Sequence, residues 1–244
     1  YARCLRRITH FFVQNEASKS LLAQIGVNNV SVVGDTRFDR VIDIQNEAKH
    51  LPLCEAFAQG RQVLVAGSSW APDEDILIDY FNRHEGWRLI LAPHVVSDEH
   101  LREIEGKLRR PAVRYTQASA DNVAQAECLI IDCYGLLSSI YRYAKVAYVG
   151  GGFGVGIHNV PEAAVYGIPV FIGPNNGKFR EAQALLKNGG CIEIHGAEDF
   201  EHAMTNFAQH PDSLQHAGEM AGQYIHENAG AADKIFQAVM TVTK

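Results

Sequence analysis

Short runs of apolar residues alternate, through most of the chain, with segments in which apolar residues recur at helical spacing. Each run is apolar throughout, which is typical of strands that a sheet buries on both faces. The runs predict strands at 63–66, 89–92, 128–132, 146–149, 169–172 and 191–194. Helices are predicted near 39–56, between the strands and, in two or three pieces, from Glu198 to the end. The pattern therefore indicates an α/β fold, a Rossmann-like parallel sheet with helices on both faces.

Residues 1–40 follow a pattern of their own, with a strand at 8–13, a helix at 16–25 and a second strand at 30–33. Two strands around one helix cannot bury both faces of a sheet, so we expect this segment to be the remnant of an N-terminal domain and a linker. Residues 41–244 are assigned to one C-terminal domain. Because the chain opens without Met and as if partway through a helix, we expect it to be a fragment of a larger protein.

The glycine-rich stretch 145–174 predicts a strand, a turn at 150–156, a short helix at 161–166 and a second strand. Glycine lets the backbone approach a ligand closely, and the N–H groups at the start of a helix face the same loop. The stretch therefore suits a phosphate or a sugar hydroxyl. The alternative to ligand binding is a tight crossover between two strands, in which the glycines serve only packing. The stretch is not a Walker loop, and it fits a nicotinamide fingerprint poorly.

Ligands of open α/β sheets bind beyond the carboxyl ends of the strands. Four predicted loops meet that condition, at 67–69, 93–94, 132–137 and 150–162. We expect these four loops to form one site.

Several residues of these loops have two open roles. Ser68 and Ser69 bind a phosphate, or they cap the helix that follows. His94 contacts a base or a phosphate, or it has no role. Asn159 binds a ligand or is only a helix N-cap, and Glu162 accepts the hydroxyls of a ribose or only favours the helix dipole. No close pair of carboxylates and no Ser-His-Asp or Cys-His set stands out, so the sequence indicates a binding site more clearly than a catalytic one.

Composition narrows the class of protein. The chain has 244 residues, 47% of them hydrophobic, so it can bury a full core. Its formal net charge of -6 argues against a nucleic-acid partner held by a general positive field. The five cysteines include no CxxC pair, which is typical of a reduced cytoplasmic protein. No apolar run reaches the ~18 residues of a membrane span, and no histidines show metal-ligand spacing.

The motifs together resemble 3-deoxy-D-manno-octulosonic acid (Kdo) transferases, which are two-domain glycosyltransferases of the GT-B fold. The similarity covers most of the chain from about Phe11 to Gly190. Its specific part is the glycine-rich segment that ends in His-Asn-x-x-Glu. The matching segments are Tyr148-Val-Gly-Gly-Gly-Phe153, Gly156-Ile-His-Asn159, Glu162-Ala-Ala164, Gly167-Ile-Pro-Val170 and Gly173-Pro174, with support from Gln14-Asn-Glu16, Gly34-Asp-Thr-Arg-Phe-Asp39, Ala66-Gly-Ser-Ser69 and Gly135-Leu-Leu137.

The resemblance implies transfer of Kdo from CMP-Kdo to a lipid A precursor in lipopolysaccharide biosynthesis. It places the full-length protein at the cytoplasmic face of the bacterial inner membrane, with peripheral membrane association. This chain would then be the C-terminal, donor-nucleotide-binding part. The general base and the acceptor surface belong to the N-terminal domain, so we expect the isolated chain to bind the donor but not to transfer it. The family's chemistry needs no metal and no cofactor beyond the CMP-Kdo donor.

The family's nucleotide contacts carry over by position, alongside the serines already named. They fall on Pro93, His94, Gly135, Leu136, Leu137, Asn159, Val160, Pro161 and Glu162. Two departures stand out. The family often has Pro-Arg-His where this chain has Pro93-His94-Val95, so a positive contact is lost or replaced. It also often has Asn-Pro-Leu-Glu where this chain has Asn159-Val-Pro-Glu162.

Two other readings are open. The first is another enzyme of the same fold, a UDP-sugar glycosyltransferase or a UDP-GlcNAc 2-epimerase, which shares a glycine loop followed by an acidic helix start. The second is a non-catalytic nucleotide-binding domain. The His158-Asn159 pair before Glu162 favours the Kdo transferases over the first reading.

Overall fold

The computed structural model describes residues 2–242 and divides the chain into two compact units. Residues up to 43 form one unit together with those from 225 onward. Residues 44–224 form the other unit, which holds the large sheet. The functional loops predicted from the sequence all lie in this second unit.

The strands form two parallel sheets. They are β1 (Phe11–Val13), β2 (Val30–Val32), β3 (Gln62–Ser69), β4 (Trp87–Pro93), β5 (Ala112–Arg114), β6 (Cys128–Ile130), β7 (Val146–Val149), β8 (Val170–Ile172) and β9 (Cys191–Glu193). β1 pairs with β2, and the other seven form one sheet in the order β5-β6-β4-β3-β7-β8-β9. The chain runs outward from β3 on one side and returns to β7 on the other. β3 and β7 therefore flank a topological switch point, where open α/β sheets bind ligands.

Helices connect the strands on both faces of the sheet. They are α1 (Ala2–Leu5), α2 (Glu16–Gln24), α3 (Thr36–Asn46), α4 (Pro52–Ala58), α5 (Ala71–Arg83), α6 (Asp98–Lys107), α7 (Ala120–Val123), α8 (Leu137–Ile140), α9 (Pro161–Ala164), α10 (Arg180–Asn188), α11 (Ala197–Gln209), α12 (Pro211–Glu227) and α13 (Ala231–Val242). Two 3₁₀ turns lie at Tyr115–Gln117 and Tyr141–Tyr143.

The core of the larger unit follows the two-residue period of its central strands. Leu64 and Ala66 of β3 pack on one face with Leu89 and Leu91 of β4, while the alternate residues between them, such as Val65, are buried on the other face. Burial on both faces explains why these strands read as continuous apolar runs. The predicted α/β fold with a parallel sheet is confirmed.

Two elements differ from the sequence prediction. The single helix predicted at 39–56 is wrong, because α3 ends at Asn46 and α4 begins at Pro52. Proline disfavours the helical conformation in the residue before it, and Leu51 is extended with φ −119 and ψ 90. Strand β5 was not predicted, since it is short and only partly buried at the sheet edge.

The predicted boundaries at 1–40 and 41–244 need correction at the C-terminus, because α13 belongs to the smaller unit. The Asp39 carboxylate accepts hydrogen bonds from the N–H groups of Gly230 and Ala232 at the beginning of α13, at 2.5 and 3.1 Å. Ala231 between them is fully buried. Asp39 thus satisfies two helix-start donors from a position far away in the sequence.

We expect Asp39→Ala to release the start of α13, because two N–H groups lose their acceptor. Loss of a capping carboxylate costs about 1 kcal/mol. Hydrogen exchange should show faster amide exchange in α13, with little change in the amides of β3 and β4. Asp43→Ala, an exposed acid on the same helix, is the matched control and should leave α13 unchanged. Equal exchange in both variants would contradict the capping role.

Candidate functional site

A cavity of about 320 Å³ lies at the carboxyl ends of β3, β4 and β6. It falls within the range of roughly 300–1,000 Å³ that is typical of small-molecule sites. The cavity is lined by Ser68, Ala92, Pro93, His94, Ile131, Cys133, Tyr134, Gly135 and Leu137. Five predicted nucleotide contacts therefore meet there, contributed by three of the four predicted loops.

A bulge at the end of β3 shapes one wall of this cavity. Ser68 has a positive φ of 52, and the register between β3 and β4 shifts between Gly67 and Ser69. The sequence suggested a loop at 67–69, but the strand continues to Ser69 through this bulge. After it, the Ser69 carbonyl accepts the N–H of His94 at 2.9 Å. The bulge turns Ser68 toward the cavity and keeps His94 beside it.

The bulge has the opposite effect on Ser69. Its side chain is fully buried, and its hydroxyl donates to Glu74 Oε1 at 3.0 Å. The Ser69 hydroxyl is therefore committed to the interior, and of the two predicted serines only Ser68 lines the cavity. Neither serine caps α5, because the N-cap position is occupied by Trp70.

The fourth loop is attached to the same edge by the buried carboxylate of Asp73. Oδ2 accepts the N–H groups of Trp70 and Gly151, both at 2.9 Å, and Oδ1 accepts the hydroxyl of Tyr148 at 2.6 Å. Asp73 is only 1% exposed. Burial first, and then the neighbouring Asp73 charge, raise the pKa of Tyr148 far above its usual value, so the phenol stays a donor. This carboxylate joins the start of α5 to β7 and to the glycine loop.

Glycine is required where that loop crosses β3. A Cβ on Gly150 would lie 2.3 Å from the Ser68 carbonyl oxygen, and one on Gly151, whose φ is +94, would lie 2.4 Å from the Gly156 carbonyl oxygen. Backbone atoms cannot give way at such distances. The glycines therefore serve close backbone packing at the switch point, in addition to any role toward a ligand.

The rings of Trp70, His94 and His158 form a cluster beside the point where the glycine loop crosses β3. His94 stacks on Trp70 and on His158, with ring centroids 4.5 Å apart in both pairs. The indole Nε1–H of Trp70 donates to Nε2 of His158 at 3.1 Å. Burial, followed by the nearby His94, lowers the pKa of His158, so its ring is held neutral. The cluster connects the cavity, through His94, to the loop at 150–162.

The last four predicted contacts surround α9, which is a single helical turn. The Asn159 amide donates to Glu162 Oε1 at 2.7 Å, and the two side chains hold each other. Asn159 is not the N-cap, which is Val160. Val160 and Pro161 are buried, so they offer a ligand little beyond their backbone. Leu136 precedes α8 but does not line the cavity.

Sequence reasoning missed three residues of this region. It assigned no role in the site to Trp70, Asp73 or Cys133. Cys133 lines the cavity, and burial, followed by the charge of Asp132, raises the pKa of its thiol. The available signal was Trp70 itself, a large aromatic residue between Ser69 and Ala71 that directly follows a predicted strand and loop.

Other features of the described residues bear on function. All five cysteines are free. Within residues 2–242, no cluster of three or more His, Cys, Asp or Glu side chains has the arrangement of a metal site. None of the helices in that range combines the length and the apolar character needed to traverse a bilayer.

Comparison with known proteins agrees with the resemblance. A 3-deoxy-D-manno-octulosonic acid transferase of Chlamydophila psittaci is 24% identical over 238 residues, 93% of this chain and 54% of that protein. The transferase of Rickettsia felis is 23% identical over 245 residues, 96% of this chain and 52% of that protein. The chain thus spans about half the length of these curated relatives. No family model matches the chain.

Solved structures show the same fold. The C-terminal CMP-Kdo binding domain of WaaA from Acinetobacter baumannii superposes with a TM-score of 0.61 at 19% identity, over 77% of this chain and 97% of that one. A structure of S. aureus MnaA with UDP gives a TM-score of 0.63 at 13% identity, over 96% of this chain and 61% of that one. The predicted GT-B type of fold is confirmed, as is the resemblance to Kdo transferases.

We expect Asp73→Ala to destabilise the protein by about 3 kcal/mol or more, because two buried donors and one partly buried donor lose their acceptor at once. Urea unfolding followed by circular dichroism measures the change. Asp75→Ala is the matched control two residues later. Its exposed pair with Lys107 is worth at most about 1 kcal/mol. Similar losses in the two variants would contradict the anchoring role of Asp73.

Proposed function

We propose that this chain is the donor-binding part of a Kdo transferase, which moves Kdo from CMP-Kdo to a lipid A precursor in lipopolysaccharide biosynthesis. The observation that carries the proposal is the cavity at the carboxyl edge of the sheet. It gathers Pro93, His94, Gly135 and Leu137, which the resemblance predicts to contact the nucleotide, and Ser68, which the sequence predicts to bind a phosphate or to cap a helix. The similarity to curated Kdo transferases over nearly the whole chain supports it.

The cavity suits a nucleotide because apolar and polar groups share its wall. Pro93 and Leu137 offer flat or branched apolar surface to a base, while Ser68 and His94 offer hydrogen bonds. In the transfer reaction the CMP group leaves with its phosphate charge. The two stacked histidines would stabilise that charge. In this proposal no metal or other cofactor takes part.

Glu162 would hold the ribose. One carboxylate oxygen, Oε1, accepts the Asn159 amide, and this contact orients the group. The other oxygen is then placed to accept ribose hydroxyls. Asn159 would thus act through Glu162 as well as by direct contact.

We do not assign the general base or the acceptor site to this chain. We place them in an N-terminal domain, together with peripheral attachment at the cytoplasmic face of the inner membrane. The smaller unit, residues 1–43 and 225–244, would belong to that part of the enzyme. The chain by itself would bind CMP-Kdo without transferring the sugar.

A uridine-sugar enzyme is the second candidate, because S. aureus MnaA has the same fold and its structure contains UDP. A UDP-GlcNAc 2-epimerase structure also superposes, with a TM-score of 0.58 at 14% identity. These likenesses show the fold alone. The base that the cavity prefers decides between the two candidates.

We expect CMP to raise the melting temperature of this chain more than UMP or AMP at equal concentration. A ligand specific for the folded state adds about 2.7 kcal/mol at a hundredfold excess over Kd. Glu162→Ala should weaken CMP binding about tenfold, since one charge-assisted hydrogen bond is worth about 1.5 kcal/mol or more. Glu198→Ala, an exposed first-turn acid of α11, should leave binding unchanged. A preference for UMP favours the second candidate, and no response to any nucleotide contradicts the site.

We expect CMP to protect Cys133 from alkylation, because this thiol lines the proposed nucleotide cavity. Mass spectrometry after iodoacetamide treatment at pH 8.5 reports each cysteine separately. Exposed Cys4 serves as the internal control and should react equally with and without CMP. Cys54, whose thiol pKa burial raises to about 12, should stay unmodified in the folded protein. Unchanged Cys133 labelling under saturating CMP would place the nucleotide elsewhere.

A further inference from the structure

The ring cluster of Trp70, His94 and His158 contains one directional contact. The indole nitrogen of tryptophan is a donor and never an acceptor. Because it lies 3.1 Å from Nε2 of His158, that ring nitrogen must accept and cannot carry a proton. In a neutral imidazole the proton then resides on Nδ1. Trp70 therefore selects one of the two tautomers of His158.

The backbone keeps His158 at this place. Its N–H donates to the Gly150 carbonyl at 3.1 Å, and Gly150 in turn donates to the Gly67 carbonyl at 2.9 Å. The ring is thus tied to the end of β3 at the switch point. Within the described part of the chain, Nδ1 of His158 has no hydrogen-bond partner. The selected tautomer leaves one N–H of known position without a protein acceptor.

The charged and titratable groups that face His158 come from two other elements. His94 follows β4 and stacks on it, and Asp73 lies in the first turn of α5. Burial and His94 lower the pKa of His158, whereas Asp73 raises it. The two lowering influences dominate, which matches an imidazole that accepts from Trp70 rather than one that is protonated on both nitrogens.

We propose that Trp70 is a positioning residue of the nucleotide-sugar site: its indole N–H fixes His158 as the Nδ1–H tautomer, which donates to an anionic oxygen of the bound donor. The inference rests on the proposed function for its ligand, but the tautomer itself does not. The Nδ1–H of His158 is a neutral donor of fixed direction, so it selects ligand oxygens by their position. Its hydrogen bond keeps its strength as the pH rises above neutral.

The tautomer is measured first, without ligand. The 15N spectrum of labelled protein distinguishes protonated from unprotonated ring nitrogens, and His158→Asn identifies the His158 signals among those of the eleven histidines. We expect the proton on Nδ1 at pH 8. Trp70→Phe keeps a ring against His94 but removes the N–H, so the Nε2–H form should appear and the pKa of His158 should rise. A wild-type spectrum with the proton on Nε2 would overturn the inference.

The role toward the ligand is measured by CMP titration at two pH values. At pH 8, Trp70→Phe should bind CMP roughly three- to tenfold more weakly, the value of one hydrogen bond. At a pH below the pKa of His158 in both proteins, as found from the 15N spectra, the imidazolium carries both protons, so the difference between Trp70→Phe and wild type should largely disappear. An equal loss at both pH values would show a merely structural role for Trp70.

A double-mutant cycle completes the test. The side-chain amide of His158→Asn donates from near the Nδ1 position without help from Trp70. In that background Trp70→Phe should change CMP affinity by less than twofold at pH 8. A full loss there would overturn the coupling between the two residues. Failure of wild-type protein to bind CMP would overturn the proposed function and the ligand role together, whereas the 15N spectrum would still decide the tautomer.

Discussion

The arrangement of the loops at the carboxyl edge of the sheet depends on one buried carboxylate. Asp73 accepts three hydrogen bonds from groups that belong to three segments: the start of α5, the end of β7 and the glycine loop. An ionised group buried this deeply is tolerated only when its oxygens are satisfied, and the donors are costly to leave unpaired. The contact therefore works in both directions, since it keeps the acid in place and holds the loop against the sheet.

The position of the rings follows from that attachment. Trp70 lies at the junction of β3 and α5, and its N–H donates to the Asp73 carboxylate. His158 belongs to the glycine loop, in which the N–H of Gly151 donates to the same carboxylate. His94 arrives from β4 through its hydrogen bond to the Ser69 carbonyl. These hydrogen bonds to backbone groups bring three loops together. The stacking of the rings adds to an arrangement that the hydrogen bonds already determine. This explains how short loops can present a defined cavity wall.

The sequence predicted the features that local pattern controls. The apolar runs located six of the seven strands of the sheet, and the glycines of 150–156 marked the crossing at the switch point. It did not predict what depends on distant partners. Asp73 meets Tyr148 and Gly151 across 75 and 78 residues, so nothing in the sequence around it indicates these contacts. The bulge that separates Ser68 from Ser69 needs a positive φ in a serine, which no local propensity favours.

The composition of the cavity wall has a kinetic consequence. Among the described residues that line it there is no lysine or arginine, and the whole chain carries a formal charge of -6. The proposed anionic ligand would therefore approach this chain against its net charge instead of being drawn in by it. Added salt screens that repulsion, so association should become faster as ionic strength rises, the reverse of the usual behaviour of phosphate-binding proteins. For the proposed ligand, affinity would then come from slow release of a molecule held by oriented hydrogen bonds rather than from fast capture.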